Sequence, residues 1–155
     1  MNETVVVRLG SHRDRSYVRD LAHRSADTSV SAVREARDED VLESFDRLAE
    51  FVYGRRHDAL IAEDDGVPVG FLLLLFDVPD EVTLTPQAFV AYTAVEPASR
   101  GRGIGRALLD EAENRARAMG LGYLSLMVTD DNAPARALYD RAGFVTERRM
   151  LTKVL

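Results

Sequence analysis

Apolar positions along the chain recur first with a period of two, then with a period near 3.6, and the alternation between these periods marks out the elements. Residues 4–9 are β-branched and apolar enough for an opening strand, and two charged, helix-compatible stretches follow at 14–26 and 33–53. In the second, Val41, Leu42, Phe45, Leu48, Ala49 and Val52 fall on one helical face. Residues 59–62 and 67–76 read as two strands joined at Asp64-Asp65-Gly66, whose Asp-Gly pair supplies tight-turn chemistry. The run Phe71-Leu-Leu-Leu-Leu-Phe76 has no polar face, which predicts a strand covered on both sides near the sheet centre. An acidic, Pro-containing connection over 77–86 leads to a strand at 88–95, stopped by Glu96-Pro97. Helical spacing returns over 102–119. Leu108, Ala112, Arg115 and Met119 form one row and Leu109 and Ala116 another, Glu111 and Arg115 make an i,i+4 pair, and Gly120 ends the helix. A strand at 123–128, a short helix opened by Asn132 with Pro134 in its first turn and closed by Gly143, and an extended stretch from Phe144 complete the order. Hairpins in the first half and βαβ-like units in the second predict an α/β (α+β) domain around one mixed sheet.

Composition narrows this picture. The length of 155 residues suits one domain spanning 1–155, and no linker or repeat divides it. Twenty basic against 26 acidic residues give a net charge of -6, which argues against a nucleic-acid partner and leans toward a cationic substrate. The chain has no Cys, hence neither disulfides nor thiolate chemistry, and it shows no metal-ligand spacing among His12, His23 and His57. No stretch reaches the ~18 apolar residues of a membrane span. No metal and no membrane partner are expected, and the reading is cytoplasmic.

The segment Val95-Glu-Pro-Ala-Ser-Arg100-Gly-Arg-Gly-Ile-Gly105-Arg106 carries the most chemistry, because a strand passes through glycines straight into a helix N-terminus. Gly101, Gly103 and Gly105 permit sharp turns and close approach, and the unbonded amides and dipole of the first helical turn favour an anion such as a pyrophosphate. A tight strand-to-helix turn with no ligand fits the same residues. Arg106 and Leu108 stand where a dinucleotide fingerprint needs small residues, and no Lys-Ser/Thr follows Gly105 as a P-loop requires.

Arg100, Gly103 and Gly105 match the Arg/Gln-x-x-Gly-x-Gly/Ala loop, and Leu126, Val128, Asn132, Ala135, Leu138, Tyr139, Gly143 and Phe144 match a second, downstream signature. On these two linked motifs the chain resembles the GNAT acetyltransferase superfamily. The resemblance implies a single-domain GNAT-like fold: a central, mixed, mostly antiparallel sheet of six or seven strands, flanked by about four helices, with splayed central strands. It implies an acyl-CoA-binding core over about 88–144 and acceptor-shaping helices over about 12–53. It further implies that the segment Gly101, Arg102, Gly103, Ile104, Gly105 and Arg106, with Arg100, holds acetyl-CoA by its pyrophosphate. The backbone of Ala94 and Val95 would bond the pantetheine arm, and a backbone amide near Val95 would stabilise the oxyanion. Asn132 would contact the cofactor or cap its helix, and Tyr139 would contact the cofactor and protonate the leaving thiolate. The activity implied is N-acetylation of a primary amine, with a small cationic amine as the expected acceptor. A protein N-terminus, a lysine, or a catalytically silent CoA-sensing module are the alternatives. Phe89 and Ala91 occupy the strand positions where some members carry a glutamate base, and Tyr92, Thr93, Asp77, Asp80 and Glu81 are left as weak candidates. Family members frequently dimerise, so a homodimer is an expected partner.

Overall fold

A computed structural model describes residues 5–155. Five strands form one sheet in the order β1-β2-β3-β4-β5: β1 Val5–Leu9, β2 His57–Asp64, β3 Val67–Leu75, β4 Ala88–Val95 and β5 Leu124–Leu126. The first four are antiparallel neighbours, and β5 joins β4 in parallel. Helices α1 (Arg15–Ser25) and α2 (Asp38–Tyr53) lie on one face, and α3 (Ile104–Ala118) and α4 (Ala133–Arg141) on the other.

The sequence pattern explains this layering. Along β3, Leu72 and Leu74 join the core beneath α3, made by Ile104, Leu108, Leu109, Ala112 and Ala116, while Phe71, Leu73 and Leu75 join the core beneath α1 and α2 with Val18, Leu21, Phe45 and Val52. An unbroken apolar run is what a doubly covered strand requires, and the expectation for 71–76 holds through Leu75. The β2–β3 turn forms as expected, with Asp65 and Gly66 both at positive φ (49° and 79°).

The expectation of six or seven strands meets five among the described residues. Residues 144–155 adopt no strand pairing, and the predicted strand at 123–128 pairs only over Leu124–Leu126. The predicted helix at 33–53 begins at Asp38, since residues 33–37 form a loop. Thr4, the first residue of the predicted opening strand, lies outside the described residues. The expected Glu111–Arg115 pair is replaced by a tertiary one: the Arg115 Nε donates to Asp58 on β2 at 2.6 Å, in a partly buried position where an ion pair gains more than on the open helix surface.

Candidate active site

The site begins with an irregularity in β4. Its register against β3 shifts so that Leu74 faces Val90 while Leu73 faces Tyr92, leaving Ala91 as the extra residue of a bulge. On the other edge, pairing with β5 stops at the same point, Val90 opposite Leu126. Beyond it the strands diverge, so the β5-facing edge of residues 91–95 offers backbone donors and acceptors to whatever enters the gap. The end of this pairing coincides with the bulge.

The glycine loop closes the far end of this gap. Gly101 (φ 75°) and Gly103 (φ 81°) sit in left-handed conformations that a Cβ disfavours, and a Cβ at either would meet nothing within 4 Å. Gly103 caps α3, so the amides of Ile104, Gly105 and Arg106 in its first turn have no helical acceptor. Gly105 serves another purpose. A Cβ there would lie 3.0 Å from Leu138 Cδ2, so its lack of a side chain lets α4 pack on the first turn of α3. Arg100 Nε turns back to the Val95 carbonyl at 3.3 Å, and Arg102 pairs with Asp64 at 2.8 Å. Arg106 reaches Asp110 (2.9 Å) and the Arg141 carbonyl (3.2 Å). Beside these residues lies a groove of about 640 Å³ lined by Gly101, Arg102, Gly103, Arg106 and Asp110. Left-handed glycines, a helix N-terminus and a basic rim suit a diphosphate-sized anion.

Tyr139 stands on α4, one residue after the Leu138 that seats on Gly105, and its ring meets Phe144 edge-on at 5.7 Å. Burial raises its phenol pKa above the usual value, so it keeps its proton throughout the neutral range. Asn132 caps α4, its Oδ1 accepting from the Ala135 amide at 3.3 Å.

The candidate bases separate from this site. Asp80 lies in the connection before β4, at the end of the strand away from the glycine loop. Its carboxylate accepts from the Thr83 amide and hydroxyl (2.7 Å each) and from Arg148 (2.8 Å), which hold it well below the usual carboxylate range. Asp77, in the same connection, pairs with Arg55 at 3.1 Å, and Glu81 follows Asp80 directly in the sequence. Thr93 donates to the Phe71 carbonyl, and Tyr92 stacks on Phe71 with its hydroxyl 3.5 Å from Ser29 Oγ. Asp77 and Asp80 are thus engaged in ion pairs, and their connection enters β4 at the end away from the glycine loop.

Two features escaped the sequence. Glu96, read only as a strand stop, is gripped by both terminal nitrogens of Arg24 at 2.8 Å, which keeps its carboxyl below the usual range. Tyr17, beside this pair, has its phenol raised by burial. Together they fasten α1 to the end of β4. In addition, the loop before α2 reaches across the gap: Thr129 Oγ1 donates to the Ser29 carbonyl at 2.9 Å, and the Ala32 amide donates to Asp131 Oδ2 at 2.6 Å. These contacts join residues about a hundred positions apart, beyond any local sequence signal.

Comparison with known proteins places this arrangement. Residues 19–144 match the acetyltransferase (GNAT) family. A mycothiol acetyltransferase of Beutenbergia cavernae is 38% identical over 84 residues, covering 54% of this chain and 27% of its own length. An L-2,4-diaminobutyric acid acetyltransferase of Nocardia farcinica is 33% identical over 110 residues, covering 68% of this chain and 54% of its own. The chain thus spans between about a quarter and about half of the length of these curated relatives. Among solved structures, an acetyltransferase fold from Pyrococcus furiosus superposes with a TM-score of 0.82 at 23% identity, covering 97% of this chain and 99% of that one. An aminoglycoside N-acetyltransferase in complex with CoA superposes with a TM-score of 0.69 at 18% identity, covering 97% and 98%.

Proposed function

The chain belongs to the GNAT family of acetyltransferases, and from that premise we propose that it transfers the acetyl group of acetyl-CoA to a primary amine on a small cationic molecule. The observation that carries this reading is the coincidence of the β4 bulge, the end of β4–β5 pairing and the glycine loop, which together make one open slot leading to an anion-binding helix end.

Acetyl-CoA supplies a thioester-activated acyl group. The amine nitrogen forms the C–N bond, the C–S bond breaks, and the thiolate leaves with a proton. The chain's residues divide this work. The first-turn amides of α3, with Gly101 and Gly103, hold the diphosphate, and Arg100 and Arg106 add positive charge at its rim. Ala94 and Val95 present backbone groups to the amide-bearing arm in the manner of an added strand, and a free amide on the same edge stabilises negative charge at the reacting carbonyl. Tyr139, buried and fully protonated at neutral pH, gives the proton to the thiolate, and the proton that the nitrogen sheds as the amide forms returns through solvent to restore the phenol. Asn132 holds α4, and so Tyr139, in place.

No carboxylate lies on β4 within residues 88–95, and Glu96 is neutralised by Arg24. The amine therefore loses its proton to solvent before attack. The acidic balance of the chain favours a cationic acceptor, and the relatives named for diaminobutyric acid and, among the solved folds, for aminoglycosides act on amines of that kind.

The test is free-thiol release from acetyl-CoA with diamino acids, aminoglycosides, polyamines and N-terminal peptides as acceptors, with CoA binding measured in parallel by calorimetry. Turnover with the small cationic amines is expected. Turnover only with peptides would replace the acceptor class, CoA binding without any turnover would make the chain a sensor, and no CoA binding would refute the reading.

A further inference from the structure

A small cavity opens at the end of the sheet away from the glycine loop, on the face covered by α1 and α2. Its place follows from the register: β2 starts at His57, which pairs with Leu75, and Leu75 pairs with Phe89 near the start of β4. From Phe89 to Val95 the strand rises by about 20 Å, at roughly 3.3 Å per residue, so the cavity is remote from the anion-binding loop. It measures about 80 Å³ and is bounded by the chain entering α1, the last turn of α2 and the first residues of β2.

The polar groups on its wall are of one kind. Asp14, the acid among them, has both carboxylate oxygens occupied by Arg8 and by the Ser11 amide. Arg15 is the opposite case. Its guanidinium makes no hydrogen bond or ion pair among the described residues and lies over the Tyr53 ring, 4.1 Å from the centroid. Contact with a ring holds the guanidinium without using its N–H groups. The Tyr53 hydroxyl also has no hydrogen-bond partner among the described residues, and the Ser11 hydroxyl, which accepts from the Arg13 amide, donates to none of them. His57 is held in place by the bond from its Nδ1 to the Arg55 carbonyl at 2.8 Å. Behind these groups the wall is apolar, formed by Val18, which is 1% exposed, and Ala59.

We propose that this cavity binds a short-chain monocarboxylate, its two oxygens on Arg15 and its alkyl end against Val18 and Ala59. Charge selects an anion, because Arg15 is the one permanent charge on the wall left uncompensated. Geometry selects a planar head with two oxygens, which the guanidinium fork matches. The apolar back wall disfavours phosphate, whose oxygens point in every direction and would meet methyl groups without a hydrogen bond. Size selects a short chain: a cavity of about 150 Å³ takes benzene, so one of about 80 Å³ suits roughly four to six heavy atoms. The occupant would touch α1 and α2 together and none of the groups proposed for acetyl transfer.

The test is independent of the acetyl-transfer reading, because it follows binding at the backbone amides of the cavity itself. Sodium acetate, sodium butyrate and sodium phosphate are titrated separately into the nitrogen-15-labelled protein, with sodium chloride keeping the ionic strength constant. The amides of residues 10–15 and 53–59 should shift saturably with acetate and butyrate, with a Kd of about 1–10 mM, the range open to a ligand of so few atoms. Arg15→Gln should weaken this binding at least about tenfold with an unchanged unfolding curve, since the side chain it replaces makes no hydrogen bond or ion pair among the described residues. Tyr53→Phe, which keeps the ring beneath Arg15, should weaken it less. Absence of a saturable shift up to about 100 mM carboxylate, shifts confined to residues 101–106, binding that survives Arg15→Gln, or tighter binding of phosphate than of acetate at the cavity amides would each overturn the proposal.

Discussion

Three glycines at alternate positions, Gly101, Gly103 and Gly105, do two different jobs, and substitution separates them. Gly103 needs its positive φ, so Gly103→Ala meets no neighbour but incurs the left-handed penalty of about 1–2 kcal/mol. If the loop relaxes away from that conformation, CoA affinity should fall about tenfold, which calorimetry would detect. Gly105→Ala instead drives a methyl to 3.0 Å from Leu138 Cδ2. It should cost about 1–3 kcal/mol of stability by overpacking, and trimming Leu138 to Val in the same chain should recover part of that loss in a denaturant titration. At Tyr139, replacement by Phe keeps the ring contact with Phe144 and removes the proton. The kcat should fall by about 10²-fold or more while CoA binding is unchanged; an unaltered kcat would remove the phenol from the mechanism.

At the scale of elements, α1 is fixed to the end of β4 by Arg24 and Glu96, so the helix proposed to border the acceptor is coupled to the strand proposed to hold the cofactor. Because the Arg24 side chain is 52% exposed, solvent screening limits the pair to about 0.2–1 kcal/mol. A double-mutant cycle of Arg24→Ala and Glu96→Gln should return a coupling within that range. Its larger effect is expected on the acceptor KM, since loosening α1 widens the acceptor side. Strand β3 is the opposite case. Leu73 has no exposed surface in the core beneath α1 and α2, and Leu73→Ala should cost about 2–5 kcal/mol, read from thermal unfolding.

Over the whole molecule, several carboxylates are stabilised as anions in the folded state. Arg8 holds Asp14 down, Arg19 holds Asp46, Arg24 holds Glu96, and the Thr83 amide and hydroxyl, with Arg148, hold Asp80. A carboxyl depressed on folding adds stability that is fully present above its unfolded pKa, about 4, and is lost as pH falls through the lower folded value. The Tm should therefore stay level from pH 8 to 5 and drop below about pH 4. Asp80→Asn should flatten that drop. In the opposite direction, activity should rise with pH following the pKa of the acceptor amine, with no added inflection in the carboxylate range, because no free carboxylate lies on β4 beside the gap.

What the chain declares locally, it declares well. The unbroken run 71–75 announced a doubly covered strand, Asp65-Gly66 announced its turn, and Asn132 announced the start of a helix, because each depends on neighbours a few positions away. The two linked motifs around Gly103 and Tyr139 identified the family. Other properties arise only when distant segments meet. The bulge at Ala91 follows from fitting β4 against both β3 and β5, and the place of Asp80, at the end of β4 away from the glycine loop, follows from which end of that strand its connection joins. The bond from Ala32 to Asp131, the grip of Arg24 on Glu96 and the diversion of Arg115 to Asp58 each pair residues separated by 57 to 99 positions. The segment after Phe144 has a strand-like composition, but pairing requires an edge to receive it, and a sequence states a strand's propensity without stating its partner.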